Sequence, residues 1–376
     1  MTQVDQYYMA QALRLARLGR YTAFPNPNVG CVLVRDGQII GQGWHQKAGE
    51  GHAEVNALAS VVNIDEVKGS TAYVTLEPCS HQGRTPPCAD TLVSAGVNKV
   101  VIAMKDPNPL VSGRGIAKLE AAGIEVVVGI LESEAKALNK GFISRMERKR
   151  PFLRCKMAMS LDGRTAMQSG ESQWITGASA RTQVQRMRAS SSAIITGVSS
   201  VIYDDCSLTV RAEQLDLEQA EQIAQRQPLR VILDSQLRVP LTAKILKQAG
   251  ETVVLFCQSN ADKEQALLAK GVTCVQLAAD EVGRVSLQAV MDYLYQRECN
   301  DVLLETGATL AGAFVQAGLI DELIIFMAPT LLGHSARGLF NLPTIHKMAD
   351  QQPLEILSSR VVGKDLMLTA RFSGNQ

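Results

Sequence analysis

His52-Ala53-Glu54, Cys79 and Cys88 are the residues of this chain best suited to chemistry. One imidazole and two thiolates hold a zinc ion through three protein ligands and leave a fourth position open to water. That is the arrangement of a catalytic site, whereas four closed ligands make a structural one. Zinc in such a site lowers the pKa of bound water towards ~7. Glu54, two residues after the histidine, is left over to carry protons as a general base and then a general acid. The set points to zinc-assisted hydrolysis.

The bland readings are few. A structural zinc site needs a fourth ligand, for which His45 and His81 are the nearby choices, and it leaves Glu54 without a task. His81, between the two cysteines, reads equally as a loop histidine or a substrate contact. Asn26, in Pro25-Asn26-Pro27-Asn28-Val29-Gly30, reads as a turn residue or as an amide that recognises the edge of a pyrimidine.

The elements that must position these groups follow from periodicity. Residues 5–18 repeat apolar side chains at helical spacing and stop at Gly19, a good helix end. Gly30 to Arg35 and Gln38 to Trp44 flank Asp36-Gly37, the signature of a tight hairpin. Strands then alternate with helices: strands at 71–75, 99–103 and 125–128, helices near 89–94, 115–121 and 132–139. This predicts a mixed sheet sandwiched by helices, with His52/Glu54 and Cys79 to Cys88 at two helix starts. The run Arg145 to Arg150 (RMERKR), ending at Pro151, reads as a solvated surface segment and marks a boundary between domains 1–147 and 148–376. Beyond it, strands at 152–159, 193–196, 230–233, 252–256, 302–304, 322–327 and 366–372 alternate with helices near 179–189, 263–270 and 287–297. They predict a second α/β domain, with Gly307 to Gly312 (GATLAG) between a strand and a helix.

Composition narrows the class. A chain of 376 residues is long for one core and fits two domains. An apolar fraction of 46%, a charged fraction of 20% and a net charge of +1 describe a globular protein without the basic face of a nucleic-acid binder. No apolar run approaches the ~18 residues of a membrane span. The start, Met1-Thr2-Gln3-Val4-Asp5, lacks the pattern of a secretory leader, so the expected location is cytoplasmic. There the eight cysteines are metal ligands or buried thiols rather than disulfides.

The order H-x-E then P-C-x-x-C is the signature of zinc deaminases of nucleobases, but here eight residues, Ser80 to Pro87, separate the cysteines. The longer segment Thr75 to Cys88 (TLEPCSHQGRTPPC) resembles the deaminase half of the bifunctional deaminase/reductase family of riboflavin biosynthesis, which has this wider spacing. Pro25 to Gly30, His52 to Glu54 and Asp106-Pro107-Asn108-Pro109 fit the same family. In the second half, Ser160 to Thr165 (SLDGRT), Ser169 to Thr176 (SGESQWIT) and Ala308 to Gly312 resemble its reductase half.

The resemblance implies a cytidine-deaminase-like α/β/α domain followed by a dihydrofolate-reductase-like α/β domain. It implies one zinc ion per chain, deamination of 2,5-diamino-6-(5-phosphoribosylamino)pyrimidin-4-one, and NADPH-dependent reduction of the product's ribosyl unit to ribityl. Ala158, Trp174, Ser200, Asp204 and Ser235, with Gly307, Ala308, Thr309, Leu310, Ala311, Gly312 and Ala313, fall where the family binds NADPH. Ser172, Arg188, Leu208, Arg211 and Glu305 fall where it holds the phosphorylated substrate, with Lys156 close to the reacting carbon. A forked guanidinium suits a phosphate, but without the resemblance Arg188 and Arg211 read as surface arginines. Trp174 reads equally as core packing, and Lys156 as an outward strand residue.

The expected partners are small phosphoribosylaminopyrimidines, with no nucleic acid, no membrane, and a homo-oligomer in which a dimer is favoured. Two other readings stand beside this one. The first is a deaminase of tRNA or free cytosine with an unrelated appendage. The second is a catalytically dead nucleotide sensor, against which the intact Glu54 and its three neighbouring ligands speak.

Overall fold

The computed structural model describes residues 2–80, 86–109 and 111–373, and the chain divides into two compact units at the Arg150–Pro151 bond. His81 lies outside the described residues.

The first unit has a sheet of strands β1 (Gly30–Arg35), β2 (Gln38–Trp44), β3 (Thr71–Val74), β4 (Lys99–Ile102) and β5 (Glu125–Val128). Its helices are α1 (Gln3–Leu18), α2 (Ala53–Ala59), α3 (Cys88–Ala95), α4 (Arg114–Ala121), α5 (Glu132–Leu138) and α6 (Lys140–Arg148). The strand order is β2-β1-β3-β4-β5. β1 pairs antiparallel with β2 and β3, whereas β3, β4 and β5 run parallel. Alternation along β1 separates two cores. Val32 and Val34 pack with Met9, Leu13, Ala135 and Phe142 of α1, α5 and α6. Cys31 and Leu33 pack with Ala57, Leu92 and Leu119 of α2, α3 and α4. The basic run is part of this scheme: Arg145 and Arg148 continue α6, because Phe142, Ile143 and Met146 give that segment an apolar face.

The second unit is built on strands β6 (Phe152–Ser160), β7 (Arg164–Ala166), β8 (Ala193–Gly197), β9 (Leu229–Leu233), β10 (Thr252–Phe256), β11 (Thr273–Gln276), β12 (Asp301–Glu305), β13 (Glu322–Ala328), β14 (Arg337–Gly338), β15 (Leu354–Val362) and β16 (Asp365–Phe372). The helices are α7 (Ala178–Ala189), α8 (Val198–Asp204), α9 (Ala220–Gln225), α10 (Ala261–Leu268), α11 (Leu287–Gln296) and α12 (Ala308–Gln316). The main sheet has the order β11-β10-β9-β8-β12-β6-β13-β16-β15. It is parallel from β11 to β13 and closes with the antiparallel β16 and β15. Helices cover both faces, α11 and α12 on one, α8 and α10 on the other. The GATLAG segment does not precede the helix but opens it: Gly307 is the N-cap of α12 and Ala308 to Gly312 form its first turns. A Cβ on Gly312 would lie 2.0 Å from the Asn341 carbonyl oxygen, so this glycine serves close packing inside a helix.

Candidate functional site

In the first unit, local chain geometry delivers all three candidate ligands. His52 is the N-cap of α2, Glu54 sits in its first turn, and Cys88 opens α3. Helix α2 lies close on β2 because Gly43 has no side chain; a Cβ there would meet the Ala57 nitrogen at 2.4 Å. Cys79 is carried by the segment after β3, anchored by Glu77 two residues earlier. The buried Glu77 carboxylate accepts backbone N–H groups from Asp106 (3.2 Å), Gly113 (3.0 Å), Gly115 (2.9 Å) and Ile116 (3.3 Å).

His52 Nδ1 lies 3.2 Å from Cys88 Sγ and 3.6 Å from Cys79 Sγ, and all three ligand atoms fall within 4.8 Å of one another. A tetrahedron with metal–sulfur bonds of ~2.3 Å and metal–nitrogen bonds of ~2.0 Å has edges of roughly 3.5 Å, so the donor set fits zinc in number, type and spacing. The hydrogen bond from Cys88 pulls the Cys79 thiol down to about 4, with His52 adding to the effect. The same contact, with burial and Glu54, pushes Cys88 up. A cation bound between the two sulfurs would favour the thiolate form of both. A hydrogen bond to Cys79 raises His52 against the effect of burial. Glu54 is 3% exposed, and burial raises its carboxyl pKa.

His45 is not a fourth ligand. Its Nδ1 faces the Gly51 carbonyl oxygen at 3.1 Å and must donate to it. Its Nε2 is therefore an acceptor, satisfied by Asn26 Nδ2 at 3.0 Å. This fixes the orientation of the Asn26 amide. The His45 and His52 rings stand edge to face, 5.4 Å apart, which brings Asn26 into the same neighbourhood.

The second unit holds a cavity of ≈ 1210 Å³ along the carboxyl ends of its parallel strands, the usual ligand crevice of such sheets. Lys156, Ala158, Ser172, Trp174, Arg188, Ser200, Asp204, Leu208, Arg211, Ser235, Glu305, Gly307, Ala308, Thr309, Leu310 and Ala313 all line it. Ala311 and Gly312 do not; helical spacing turns them into the core of the unit. Trp174 is 71% exposed, which removes the core-packing reading, and its ring stacks on the Arg181 guanidinium at 4.9 Å. Ser172 Oγ donates to Asp204 Oδ1 at 3.1 Å.

Arg188 is no surface arginine. Its Nε and an Nη donate to the two oxygens of Glu305 at 2.6 and 2.9 Å, and its other Nη donates to the Thr209 carbonyl oxygen at 3.1 Å. With its fork occupied, Arg188 orients Glu305, and Arg211 presents a guanidinium with no carboxylate partner among the described residues. Burial would raise Glu305, but the Arg188 charge and hydrogen bonds, with Lys156, hold it below the usual range. Burial pushes Lys156 down, partly offset by Glu305.

One residue of this wall carries no sequence signal. Thr196, at the end of β8, is fully buried and its hydroxyl has no hydrogen-bond partner. Gly307 has open space where a Cβ would point. An orphaned hydroxyl beside an unobstructed helix start fits a ligand that brings phosphate oxygens to this crevice.

Two family models match the chain: the RibD C-terminal domain over residues 151–368 and the cytidine and deoxycytidylate deaminase zinc-binding region over residues 2–104. The riboflavin biosynthesis protein RibD of Escherichia coli is 50% identical over 97% of this chain and 98% of its own length. That of Haemophilus influenzae is 47% identical over 97% and 96%. Among solved structures, Acinetobacter baumannii RibD is 48% identical, covers 99% of both chains and has a TM-score of 0.90. A diaminohydroxyphosphoribosylaminopyrimidine deaminase/5-amino-6-(5-phosphoribosylamino)uracil reductase of Thermotoga maritima is 31% identical over 98% and 99%, with a TM-score of 0.86. The chain belongs to the family of the riboflavin biosynthesis protein RibD.

Proposed function

We propose that the protein performs two consecutive steps of riboflavin biosynthesis. The N-terminal unit hydrolytically deaminates 2,5-diamino-6-(5-phosphoribosylamino)pyrimidin-4-one. The C-terminal unit reduces the ribosyl group of 5-amino-6-(5-phosphoribosylamino)uracil to ribityl with NADPH. The observation that carries this reading is the convergence of His52, Cys79 and Cys88 beside a buried Glu54, in a chain whose other unit offers a cavity sized for a dinucleotide and a substrate together.

Zinc held by His52, Cys79 and Cys88 supplies a Lewis acid that makes a water acidic near neutral pH. The remaining work belongs to side chains. Glu54 takes one proton from the attacking water and passes it to the ring nitrogen. It then takes the proton of the newly formed hydroxyl and passes it to the amine, which leaves as ammonia as the C–N bond breaks. The burial of Glu54 suits this, because a raised pKa makes the carboxylate a stronger base towards the acidified water and brings its pKa nearer the working pH, where it can also return a proton. Asn26, held by His45, offers its amide oxygen to an N–H on the pyrimidine edge.

In the second unit, the hydride chemistry is the cofactor's and the protein positions it. The α12 start from Gly307 and the orphaned Thr196 hydroxyl support the cofactor reading, and Trp174 closes the mouth of the same crevice. Arg211 takes the substrate phosphate, Glu305 accepts from ribose hydroxyls, and the half-buried Lys156 ammonium, its pKa lowered by desolvation, is the proton donor beside the reacting carbon.

All eight cysteines are free thiols, which supports a reducing, cytoplasmic setting, and no helix among the described residues is long and apolar enough to cross a membrane. The dimer reading draws support from the edge strand β15, which exposes Ile356 at 65% and Val361 at 75%, since long exposed edges are normally covered.

Substrate choice tests the reading. The purified protein is expected to release ammonia from the phosphoribosylaminopyrimidine and not from cytidine or a tRNA. Ammonia from either of the latter, with none from the former, would move the function to another branch of the zinc deaminases.

A further inference from the structure

The cavity residues of the second unit follow the sheet in order. Lys156 and Ala158 stand on β6, Glu305 to Leu310 on β12 and α12, Thr196 to Ser200 at the turn from β8 to α8, and Ser235 just past β9. These strands are successive neighbours. Three inter-strand spacings of about 4.8 Å place Ser235 roughly 14 Å from β6. An elongated ligand that reacts beside β6 and crosses the α12 start therefore ends at Ser235.

At that end the wall changes character. Arg238 and Arg284 both line it. Arg238 follows the turn in which Leu237 N–H donates to the Asp234 carbonyl oxygen at 3.1 Å. Arg284 sits in a loop tied to Ser235 itself, because Val285 N–H donates to Ser235 Oγ at 3.1 Å. Asp280 Oδ1 fixes that loop by accepting from Arg284 N–H at 2.8 Å and Val282 N–H at 3.1 Å. The backbone beneath both arginines is held, yet neither guanidinium has a hydrogen-bond or carboxylate partner among the described residues. Several other arginines of the unit are paired: Arg154 with Asp301 and Glu322, Arg188 with Glu305, Arg297 with Glu251. Lys244 on the same wall is paired with Asp205 at 3.3 Å. Two uncommitted forks at the far end of a dinucleotide-length crevice fit a dianionic phosphate, which guanidinium binds through parallel hydrogen bonds.

We propose that Arg238 and Arg284 form a phosphate monoester subsite that reads the adenosine 2′-phosphate, and so set the preference for NADPH over NADH. This rests on the reductase reading above and adds the residues that discriminate between the two nicotinamides.

The test uses the full-length protein and probes without a nicotinamide. Calorimetric titration should show 2′,5′-ADP bound more tightly than ADP, with Arg238→Ala and Arg284→Ala each reducing that preference roughly tenfold and the double variant roughly a hundredfold. Retained ADP affinity reports that the crevice is still folded, and Arg238→Lys should keep part of the preference as charge without a fork. NADPH and NADH titrations should repeat the pattern. Equal losses for 2′,5′-ADP and ADP, or an undiminished preference in the double variant, would overturn the assignment. So would a selective loss of ribose 5-phosphate binding, because the subsite would then hold the substrate's phosphate instead. A wild-type protein that binds neither nicotinamide would defeat the reductase reading itself, an outcome distinct from loss of selectivity alone.

Discussion

At the scale of single residues, the account turns on two carboxylates with opposite environments. Glu54 is buried beside the sulfurs, with a raised pKa. Glu54→Ala should lower ammonia release by ~10²- to 10⁴-fold while zinc content and reductase rate stay as in the wild type. A deaminase rate near that of the wild type would remove Glu54 from its role. Glu305 is buried too, but Arg188 holds its pKa down. The folded protein therefore binds this proton less tightly than the unfolded chain, whose carboxyl titrates near ~4.3. The stability so gained is present above that value and is lost as pH falls through the lower folded pKa. Arg188→Ala leaves a buried carboxylate unpaired and should cost ~3–5 kcal/mol at neutral pH, with the gap from wild type closing on acidification. Urea unfolding at both pH values reads this out, and equal stability at neutral pH would contradict it. The zinc ligands were legible from sequence because their types and spacing leave few other uses for them. The Arg188–Glu305 pair was not, since 117 positions separate the two residues and only the fold joins them.

At the scale of elements, the metal centre depends on two helix starts and on one strand-end segment. Cys79 has no helix of its own, and Glu77 fixes its segment to the chain around 106–116 through backbone N–H groups. Glu77→Ala should therefore weaken zinc binding by roughly 10- to 100-fold, as loss of supporting contacts does, measured by competition with a chelator; unchanged affinity would show that Cys79 is held in place without it. Period-2 and period-3.6 patterning made most elements readable. The failures share physical causes. Strand β15 is exposed along nearly its whole length, so it lacks the apolar alternation that marks a half-buried strand. In α6, charge masked an apolar face.

At the scale of the whole molecule, two chemistries occupy two separately built sites. The sequence announced the first through a compact motif and the second chiefly through family resemblance, because the cavity gathers residues from Lys156 to Arg337 that no local pattern connects. The central claim is that His52, Cys79 and Cys88 hold one hydrolytic zinc on which deamination alone depends. Removing metal from the purified protein with a chelator, while following ammonia release from the diaminopyrimidine and NADPH oxidation by the deaminated product, tests it directly. The account predicts that one zinc per chain is lost together with ammonia release, that readdition of zinc restores it, and that NADPH oxidation continues throughout. Undiminished ammonia release from metal-free protein would contradict it.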